Sequence, residues 1–307
     1  MTKVFIDGSA GTTGLRIRER LSGRPDLELV TLPEELRKDP SARQDALNSA
    51  GVAFLCLPDA AAVEAVSLVT SPDTVIIDTS TAHRTAEGWV YGFPELKGLR
   101  EKISAAKRIA NPGCHASGFI ALVAPLVEAG LLAPDARLSC FSLTGYSGGG
   151  KKMIAEYEAD GRDSLLDAPR QYGLSQSHKH LPEMAKVCGL AYAPVFCPIV
   201  APYYAGMEVT VPLTPADTCA TPEQIRDVYR AYYDAGLVSF REDADESGFL
   251  SAGAMAGKDN MEIAVFGNPE RMLLVSRFDN LGKGASGAAI QNMNLVLGLE
   301  EAAGLMR

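Results

Sequence analysis

One cysteine of this chain stands where a thiolate nucleophile is expected. Cys114 follows the turn-forming pair Pro112-Gly113 and precedes an apolar run, Ala116 to Ala129, that has the spacing of a buried helix. The pattern therefore places Cys114 at a helix N-terminus. There, unpaired N–H groups and the helix dipole stabilise an anion and lower a thiol pKa from its usual value of about 8.5. The alternative is a small apolar side chain that fills a turn.

Two histidines give the second chemical signal. His178 and His180 stand in a loop that Pro182 ends, and they are half of the chain's four histidines. Thiolate chemistry needs a proton donor and acceptor near neutral pH, and imidazole is the side chain that fits. The pair therefore predicts acid–base function. Because no further cysteine or histidine stands at zinc-ligand spacing, we predict no metal site.

A glycine-rich turn joins the first predicted strand, Val4 to Asp7, to the first predicted helix, Leu15 to Leu21. The run Gly8-Ser9-Ala10-Gly11-Thr12-Thr13-Gly14 is a variant of the dinucleotide fingerprint. Its glycines let the backbone approach a pyrophosphate, whose charge the helix N-terminus binds. An ordinary glycine turn is the alternative, but its place as the first strand-to-helix turn of an α/β half favours a dinucleotide site.

The residues near this turn leave the choice between NAD and NADP open. No acidic residue ends the second predicted strand, Leu27 to Thr31. Glu34 and Glu35 follow it and would bind a ribose hydroxyl, whereas Arg16 and Arg37 would meet a phosphate on that ribose.

A polar loop follows another predicted strand, Val75 to Asp78. The C-terminal end of such a strand faces the crevice where open α/β sheets bind ligands, so Ser80 and Arg84 are candidates for contact with cofactor or substrate phosphate. The alternative is a loop in which Asp78 and Ser80 hydrogen-bond their own backbone.

A second glycine run, Gly145 to Lys151, ends the first predicted strand of the later half. Consecutive N–H groups in such a run form an anion nest, and Lys151 would add charge for a carboxylate or phosphate. A flexible hinge is the alternative.

Composition restricts the class of protein. A chain of 307 residues, 47% hydrophobic and 22% charged, suffices for two packed domains. Its net charge of −9 disfavours nucleic acids and anionic membranes as partners. The N-terminus begins at once as a strand, without a basic leader, and no apolar run reaches the roughly 18 residues of a membrane span. We therefore expect a cytoplasmic protein with a small-molecule ligand.

The pattern of elements changes after Cys114. Up to about residue 110, buried strands alternate with helices, which predicts a doubly wound, Rossmann-type α/β domain. Beyond it, longer alternating segments predict a mixed or antiparallel sheet in an α+β domain: Leu138 to Thr144, Gly206 to Leu213, Met261 to Phe266 and Met272 to Phe278. Residues 148–182 predict a long loop with short helices, and Ser286 to Ala303 predicts a last helix.

Seven motifs together resemble one enzyme family. They are Gly8 to Gly14, Asp78 to Arg84, Tyr91 to Leu96, Asn111 to Cys114, Gly145 to Lys151, His178 to Glu183 and Gln291 to Leu295. In this order and spacing they resemble the shorter N-acetyl-gamma-glutamyl-phosphate reductases over nearly the whole chain. The resemblance implies an NADP-binding Rossmann domain over residues 1–113 and a catalytic and oligomerisation domain over 114–283. It also implies a C-terminal helix over 284–307 that packs back on the NADP-binding domain.

The resemblance also implies a reaction. Cys114 would attack the carbonyl of N-acetylglutamyl phosphate, phosphate would leave, and NADPH would reduce the thioacyl enzyme to N-acetylglutamate semialdehyde, an arginine precursor. His178 is the first choice as acid–base group, with His180 as the alternative or a substrate contact. The implied cofactor contacts are Gly8, Ser9, Gly11, Thr12, Thr13, Gly14, Ser80 and Asn292, and the implied substrate contacts are Arg84, Asn111, Ser147 and Lys151. The implied partners are NADP, an acyl phosphate and further copies of the chain in a dimer or tetramer.

Three other functions share parts of this pattern. Aspartate-semialdehyde dehydrogenase uses the same architecture and thiol, but its amine-bearing substrate predicts an acidic partner near the cysteine, and no such signature surrounds Cys114. The acyl phosphate of N-acetyl-aminoadipate is one methylene longer, a difference of about 1 to 3 kcal/mol in a pocket that sequence does not resolve. A non-catalytic NADP-sensing regulator has no need of Cys114 together with the histidine pair.

Overall fold

A computed structural model describes residues 1–234 and 236–307. The chain divides into two compact units. The first unit comprises Met1–Pro112 and Ala285–Leu305, and the second comprises Gly113–Gly284 and Met306–Arg307.

The secondary structure is as follows. The helices are α1 (Thr12–Leu21), α2 (Pro40–Ser49), α3 (Asp59–Ser67), α4 (Leu99–Ser104), α5 (Cys114–Glu128), α6 (Gly150–Glu158), α7 (Leu181–Cys188), α8 (Pro222–Tyr232) and α9 (Gly287–Val296). The strands are β1 (Thr2–Asp7), β2 (Leu27–Val30), β3 (Val52–Leu55), β4 (Val75–Asp78), β5 (Val90–Tyr91), β6 (Arg108–Ala110), β7 (Ser139–Gly145), β8 (Arg170–Gln171), β9 (Val195–Ala201), β10 (Met207–Leu213), β11 (Val238–Phe240), β12 (Met261–Asn268) and β13 (Arg271–Phe278).

The first unit is built on a parallel sheet with the strand order β2-β1-β3-β4-β6-β5. Both of its faces are covered, which explains the uninterrupted apolar strands in the sequence. Side chains alternate between two clusters, so Val4 and Ile6 of β1 pack on one face and Phe5 on the other. The predicted Rossmann-type sheet is confirmed.

The last helix is shorter than the sequence pattern predicts. α9 ends at Val296, and Gly298 follows with φ at +65°, the left-handed conformation that commonly terminates helices. The Asn294 side chain then binds the carbonyls of Glu301 and Ala303, which fixes the following residues as turns. The predicted extension to Ala303 is therefore wrong.

The second unit contains a mixed sheet with the strand order β11-β12-β13-β10-β7-β9-β8. The pairs β7–β9 and β11–β12 are parallel and the other pairs are antiparallel. Helices α5 and α8 pack against this sheet, and α7 packs against α5. The predicted mixed sheet is confirmed.

Helix α5 is mostly apolar, is buried along most of its length and is the centre of the second unit's core. Its Pro125 lacks the N–H that the Ala121 carbonyl would otherwise accept. The Tyr233 hydroxyl donates to that carbonyl instead, at 2.7 Å. Gly118 lets the helix approach the sheet, because a Cβ there would lie 2.5 Å from Val209 Cγ2. This close packing fixes the position of Cys114, the first residue of the helix.

Candidate active site

The glycine turn of the first unit accepts only glycine at two positions. Gly8 has φ at +84°, and a Cβ there would overlap the carbonyl oxygen of Cys56. A Cβ at Gly14 would lie 2.5 Å from the Gly8 carbonyl oxygen. Gly11 is the N-cap of α1 and has no side chain to bind the first N–H groups of the helix. The turn therefore presents backbone donors at close range, as a pyrophosphate site requires.

Two buried oxygens support a bound dinucleotide in this unit. Within the described residues, Thr12 Oγ1 and Asn292 Oδ1 have no hydrogen-bond partner. Buried polar atoms are normally satisfied, so each is suited to a ligand group. The Asn292 amide nitrogen donates to the Gly92 carbonyl at 2.9 Å and to Asn111 Oδ1 at 3.2 Å, which fixes the orientation of the side chain. These residues fit a nicotinamide dinucleotide.

A cavity of about 220 Å³ adjoins the glycine turn at the end of β2. Arg37 lines it, as the sequence predicts, together with Arg18 and Lys38, which the sequence reading missed. Arg16, the other predicted cation, does not line it, and neither do the carboxylates at positions 34 and 35. The acidic lining residue, Asp7, is buried and bound by Arg43 at 3.0 Å. The open charge in this cavity is therefore positive.

The loop after β4 is bonded mainly to itself. Asp78 is fully buried and accepts from the Ser80 N–H at 2.9 Å and from the Ser80 hydroxyl at 2.7 Å. His83 lies 2.6 Å from the same carboxylate and stacks on Trp89. The self-bonded arrangement that the sequence left open is thus present, and contact of Ser80 with a ligand stays a prediction.

Arg84 and Asn111 tie neighbouring strand ends together. The Arg84 guanidinium donates to the carbonyls of Asn111 at 2.9 Å and Thr79 at 3.1 Å. The Asn111 amide donates to the Ala285 carbonyl at 3.0 Å. Both side chains thus stabilise the backbone through these hydrogen bonds, and their predicted contacts with substrate stay predictions.

Cys114 lies at the N-terminus of α5, as the sequence predicts. Its N-cap, Gly113, is extended and offers no side-chain cap. The thiol is half-buried, and Gly284 packs so closely that a Cβ there would lie 2.9 Å from Cys114 Cβ. Gly284, in the glycine-rich segment before α9, therefore leaves room beside the cysteine, which the sequence alone did not indicate.

A buried carboxylate lies under the cysteine turn. Glu183 is 1% exposed and accepts the Gly113 N–H at 3.2 Å through Oε2. Its Oε1 lies 4.0 Å from His180 Nε2. No acidic residue stands near Cys114 in the sequence, and the fold supplies one because α7 packs against α5. The carboxylate holds the turn and faces an imidazole, so it favours that imidazole's charged form.

Three of the four histidines form one cluster. The rings of His178 and His180 have centroids 4.7 Å apart, and His115 lies 5.8 and 5.6 Å from them. Phe196 covers His115 and His178 at 5.3 and 5.1 Å. The sequence did not single out His115, although its place directly after Cys114 was a usable signal.

His115 is bonded at both ring nitrogens. Nδ1 lies 2.7 Å from Ser142 Oγ on β7, and Nε2 lies 2.6 Å from the Tyr172 hydroxyl. Burial, reinforced by the charge of His178, lowers the pKa of His115 to about 3. Burial and the charge of a Cys114 thiolate raise the pKa of Tyr172 far above its ordinary value. Both groups therefore stay neutral at physiological pH.

The second glycine run uses several of its N–H donors within the fold. The N–H groups of Gly145, Tyr146 and Ser147 donate to carbonyls of the segment before β10, and that of Gly150 donates to Ser147. Ser147 is buried and accepts from Asn280 at 2.9 Å. Lys151 lies exposed in the first turn of α6. Strand-like pairing therefore uses the donors at the start of the run, and contact of the run with an anion stays a prediction.

The described residues contain neither a helix that could span a membrane nor a group of side chains that could hold a metal ion. No helix there is long and apolar enough to cross a membrane. No group of three or more His, Cys, Asp or Glu side chains in the same residues is placed to hold a metal ion.

Comparison with known proteins identifies the two halves of the chain. A family model described as the semialdehyde dehydrogenase dimerisation domain matches residues 114–280, and one described as the semialdehyde dehydrogenase NAD binding domain matches residues 33–106. The cofactor is therefore a nicotinamide dinucleotide.

Solved structures of low identity share the fold. Aspartate semialdehyde dehydrogenase II from Vibrio cholerae has a TM-score of 0.72 at 18% identity, covering 97% of this chain and 99% of that one. Aspartate semialdehyde dehydrogenase with NADP from Candida albicans has a TM-score of 0.66 at 15% identity, covering 97% of this chain and 99% of that one.

Curated relatives are much more similar in sequence. N-acetyl-gamma-glutamyl-phosphate reductase 2 from Nostoc sp. is 46% identical, with 99% of both chains covered. N-acetyl-gamma-glutamyl-phosphate reductase from Burkholderia lata is 47% identical, with 98% of both covered. At this identity over nearly its whole length, the chain belongs to the N-acetyl-gamma-glutamyl-phosphate reductase family.

Proposed function

We propose that this protein catalyses the NADPH-dependent reductive dephosphorylation of N-acetylglutamyl phosphate to N-acetylglutamate semialdehyde, a step of arginine biosynthesis. The observation that carries the proposal is Cys114 at the start of buried helix α5, with a histidine cluster and the Glu183 carboxylate beside it. The relatives named for this reduction supply the substrate.

The first step forms a thiolate at Cys114. Its proton passes to His180, and the Glu183 carboxylate, 4.0 Å from His180 Nε2, stabilises the imidazolium that results. The positive end of α5 stabilises the thiolate. This geometry favours His180 as the acid–base group over His178, the first choice from sequence, because Glu183 faces His180. His178 is then the better candidate for contact with substrate.

The thiolate attacks the acyl carbonyl of the substrate. The carbon–sulfur bond forms, the carbon–oxygen bond to phosphate breaks, and inorganic phosphate leaves with the electron pair. Backbone N–H groups of Cys114 and His115 at the start of α5 are the donors for the transient oxyanion. Arg84, Asn111, Ser147 and Lys151 remain the proposed contacts for phosphate and carboxylate.

Bound NADPH supplies hydride to the thioester carbon. His180 then donates its proton to the oxygen that has become an alkoxide, which gives a neutral thiohemiacetal. On collapse the same imidazole takes the hydroxyl proton back, the carbon–sulfur bond breaks, and Cys114 returns to its thiolate as the aldehyde leaves. The leaving phosphate takes one proton from solvent, so the net reaction consumes one hydride and one proton.

We propose NADPH, rather than NADH, because of the cations at the end of β2. Arg18, Arg37 and Lys38 line one cavity beside the glycine turn. A phosphate on the adenosine ribose is the cofactor group that such a cluster would bind, because guanidinium and ammonium groups form strong charge-assisted hydrogen bonds with phosphate.

We propose a homodimer formed through the open face of the mixed sheet. Phe141, Val195 and Leu273 lie on that face and are 43%, 59% and 42% exposed. The opposite face is covered by helices, so the open one is the apolar surface left to a second copy. Exchange of Phe141 for Glu should shift the mass measured by light scattering toward the monomer. We also propose that the protein is cytoplasmic.

The test is turnover of chemically prepared N-acetylglutamyl phosphate, followed by the absorbance of NADPH. Wild type should turn over, and Cys114→Ser should lose at least about a thousandfold in kcat while still binding NADPH. The matched control is Cys219→Ser, an exposed cysteine, which should behave as wild type. Aspartyl phosphate and N-acetyl-aminoadipyl phosphate are run beside it. A higher kcat/KM for either, or no turnover by folded wild type, contradicts the assignment.

A further inference from the structure

His115 takes no part in the proton transfers above, yet both of its ring nitrogens are hydrogen-bonded. Its two nitrogens lie 2.7 Å from Ser142 Oγ and 2.6 Å from the Tyr172 hydroxyl. The ring is neutral, because burial lowers its pKa to about 3. A neutral imidazole has one donor nitrogen and one acceptor nitrogen. If it accepts a hydrogen bond from one neighbour, it must therefore donate to the other.

Ser142 decides that direction. Its side chain is fully buried, and its hydroxyl has no hydrogen-bond partner in the described residues except His115. If His115 Nδ1 carried the hydrogen, the Ser142 O–H would be buried without an acceptor, which is unfavourable. Ser142 therefore donates to Nδ1, and the hydrogen on Nε2 is donated to the Tyr172 oxygen.

Tyr172 is then left with a free donor. Its oxygen accepts from His115, its proton is retained because the pKa is raised, and its hydroxyl has no other bond within the described part of the chain. Its ring lies 6.0 Å from that of His178, and its hydroxyl is bonded at 2.6 Å to His115, the residue directly after Cys114. The charge of a Cys114 thiolate adds to the rise in the pKa of Tyr172. The nearby acceptor that gains most from an O–H donor is that sulfur anion.

We propose that Ser142, His115 and Tyr172 form a hydrogen-bond chain of fixed direction that aims the Tyr172 hydroxyl at the Cys114 sulfur and stabilises its thiolate. Ser142 and His115 are positioning residues, and they act through Tyr172. The inference deepens the proposed function and rests on it, since it concerns the nucleophile of that reaction.

Other titratable groups around the cysteine also act on the thiolate. His178 and His180 lie against His115, the residue directly after Cys114. Glu183 of α7 accepts the N–H of Gly113, the residue directly before it, and Lys283 adjoins the Gly284 that packs on Cys114. The tested variants leave all of these groups in place. A change in the pKa of the Cys114 thiol therefore measures the effect of the Ser142–His115–Tyr172 hydrogen bonds alone.

The experiment measures alkylation of Cys114 by iodoacetamide as a function of pH, in the absence of substrate and cofactor, with the modified peptide quantified by mass spectrometry. Tyr172→Phe removes the donor, and Ser142→Ala removes the group that sets its direction. Tyr192→Phe, a half-exposed tyrosine of the same unit, is the matched control. Exposed Cys219 is the internal reference for reagent reactivity. Thermal unfolding verifies that each variant is folded.

We expect the pKa of Cys114 to rise by about one unit or more in Tyr172→Phe, because a hydrogen bond to a charged group is worth that much. Ser142→Ala should raise it by less, and Tyr192→Phe should leave it unchanged. If the Cys114 pKa is low in wild type and neither variant changes it, the proposed hydrogen-bond chain is wrong, while Cys114 remains the nucleophile. A rise in Tyr172→Phe alone overturns the directional role of Ser142. An ordinary thiol pKa of about 8.5 in wild type instead contradicts the thiolate of the proposed function.

Discussion

The N-termini of α1 and α5 share one backbone design and differ in what surrounds it. Gly11 and Gly113 are both extended N-caps, and neither offers a side chain that could bind the first N–H groups of its helix. At α1 the donors follow a glycine turn suited to a ligand's pyrophosphate. At α5 the helix starts with Cys114 itself, so the chain supplies the anion. The same helix end therefore serves binding in one unit and nucleophile activation in the other.

Burial is the second difference. Helix α1 lies at the surface, with Leu15 41% exposed, whereas α5 is buried along most of its length. A fixed dipole acts more strongly where water is excluded, because the effective dielectric constant is lower. An exposed helix end thus suits reversible binding of a charged cofactor, and a buried one suits a lasting change in the thiol pKa.

The largest effect that would separate the two helix ends is loss of the glycine turn. In Gly14→Ala the new Cβ would lie 2.5 Å from the Gly8 carbonyl oxygen, and the turn must distort. We expect NADPH affinity to fall tenfold to about a hundredfold, the range of such backbone strain, with Cys114 alkylation unchanged. Fluorescence titration measures the affinity. Gly23→Ala, where a Cβ meets nothing within 4 Å, is the control. Normal affinity in Gly14→Ala would break the comparison.

A second prediction concerns acid stability at the α5 end. The pKa of His115 is about 3 in the folded protein, below the value of 6.5 for a free histidine. Between these two pKa values, the unfolded chain binds a proton at this histidine and the native state does not. The stability associated with neutral His115 is therefore present above pH 6.5 and is lost as pH falls toward 3. Between pH 7 and 4 wild type should lose about 3 kcal/mol more than His115→Gln. Urea unfolding at both pH values measures this, and equal losses would contradict it.

The third prediction concerns the Glu183 carboxylate of α7, which binds the N-cap of α5. Glu183→Gln keeps an acceptor for the Gly113 N–H but removes the charge facing His180. We expect kcat to fall about tenfold or more and the pKa of the acid–base group in the pH profile of kcat/KM to fall, because the imidazolium loses its counter-charge. Glu270→Gln, an exposed carboxylate of the same unit, is the control. An unchanged pH profile would assign Glu183 to the turn alone.

The smallest effect concerns cofactor choice beside α1. Arg37→Ala should raise KM for NADPH about tenfold and leave KM for NADH nearly unchanged, because only NADPH carries the extra phosphate. Arg16→Ala is the control, since Arg16 does not line the cavity. Equal effects on the two cofactors would show that Arg37 contributes general positive charge and no specificity.

The sequence predicted elements well where the local pattern was strong. β4 has the predicted bounds, and β1 and α5 lie within two residues of theirs, because buried strands and an all-apolar helix leave clear patterns. It missed α2, a largely polar helix that begins with an Asp39 cap on the Ala42 N–H. It also extended α9 too far, because helix-forming residues continue beyond Gly298.

The sequence by itself determined the glycine turn, the cysteine at a helix start and the paired histidines, because each depends on neighbours a few residues away. The tertiary structure alone decided the environment of Cys114. Ser142 comes from β7, Tyr172 from the residue after β8 and Glu183 from α7, and only the packing of α5 between the sheet and α7 brings them to one point. Charge, burial and hydrogen-bond direction depend on such distant neighbours, so no local motif encodes them.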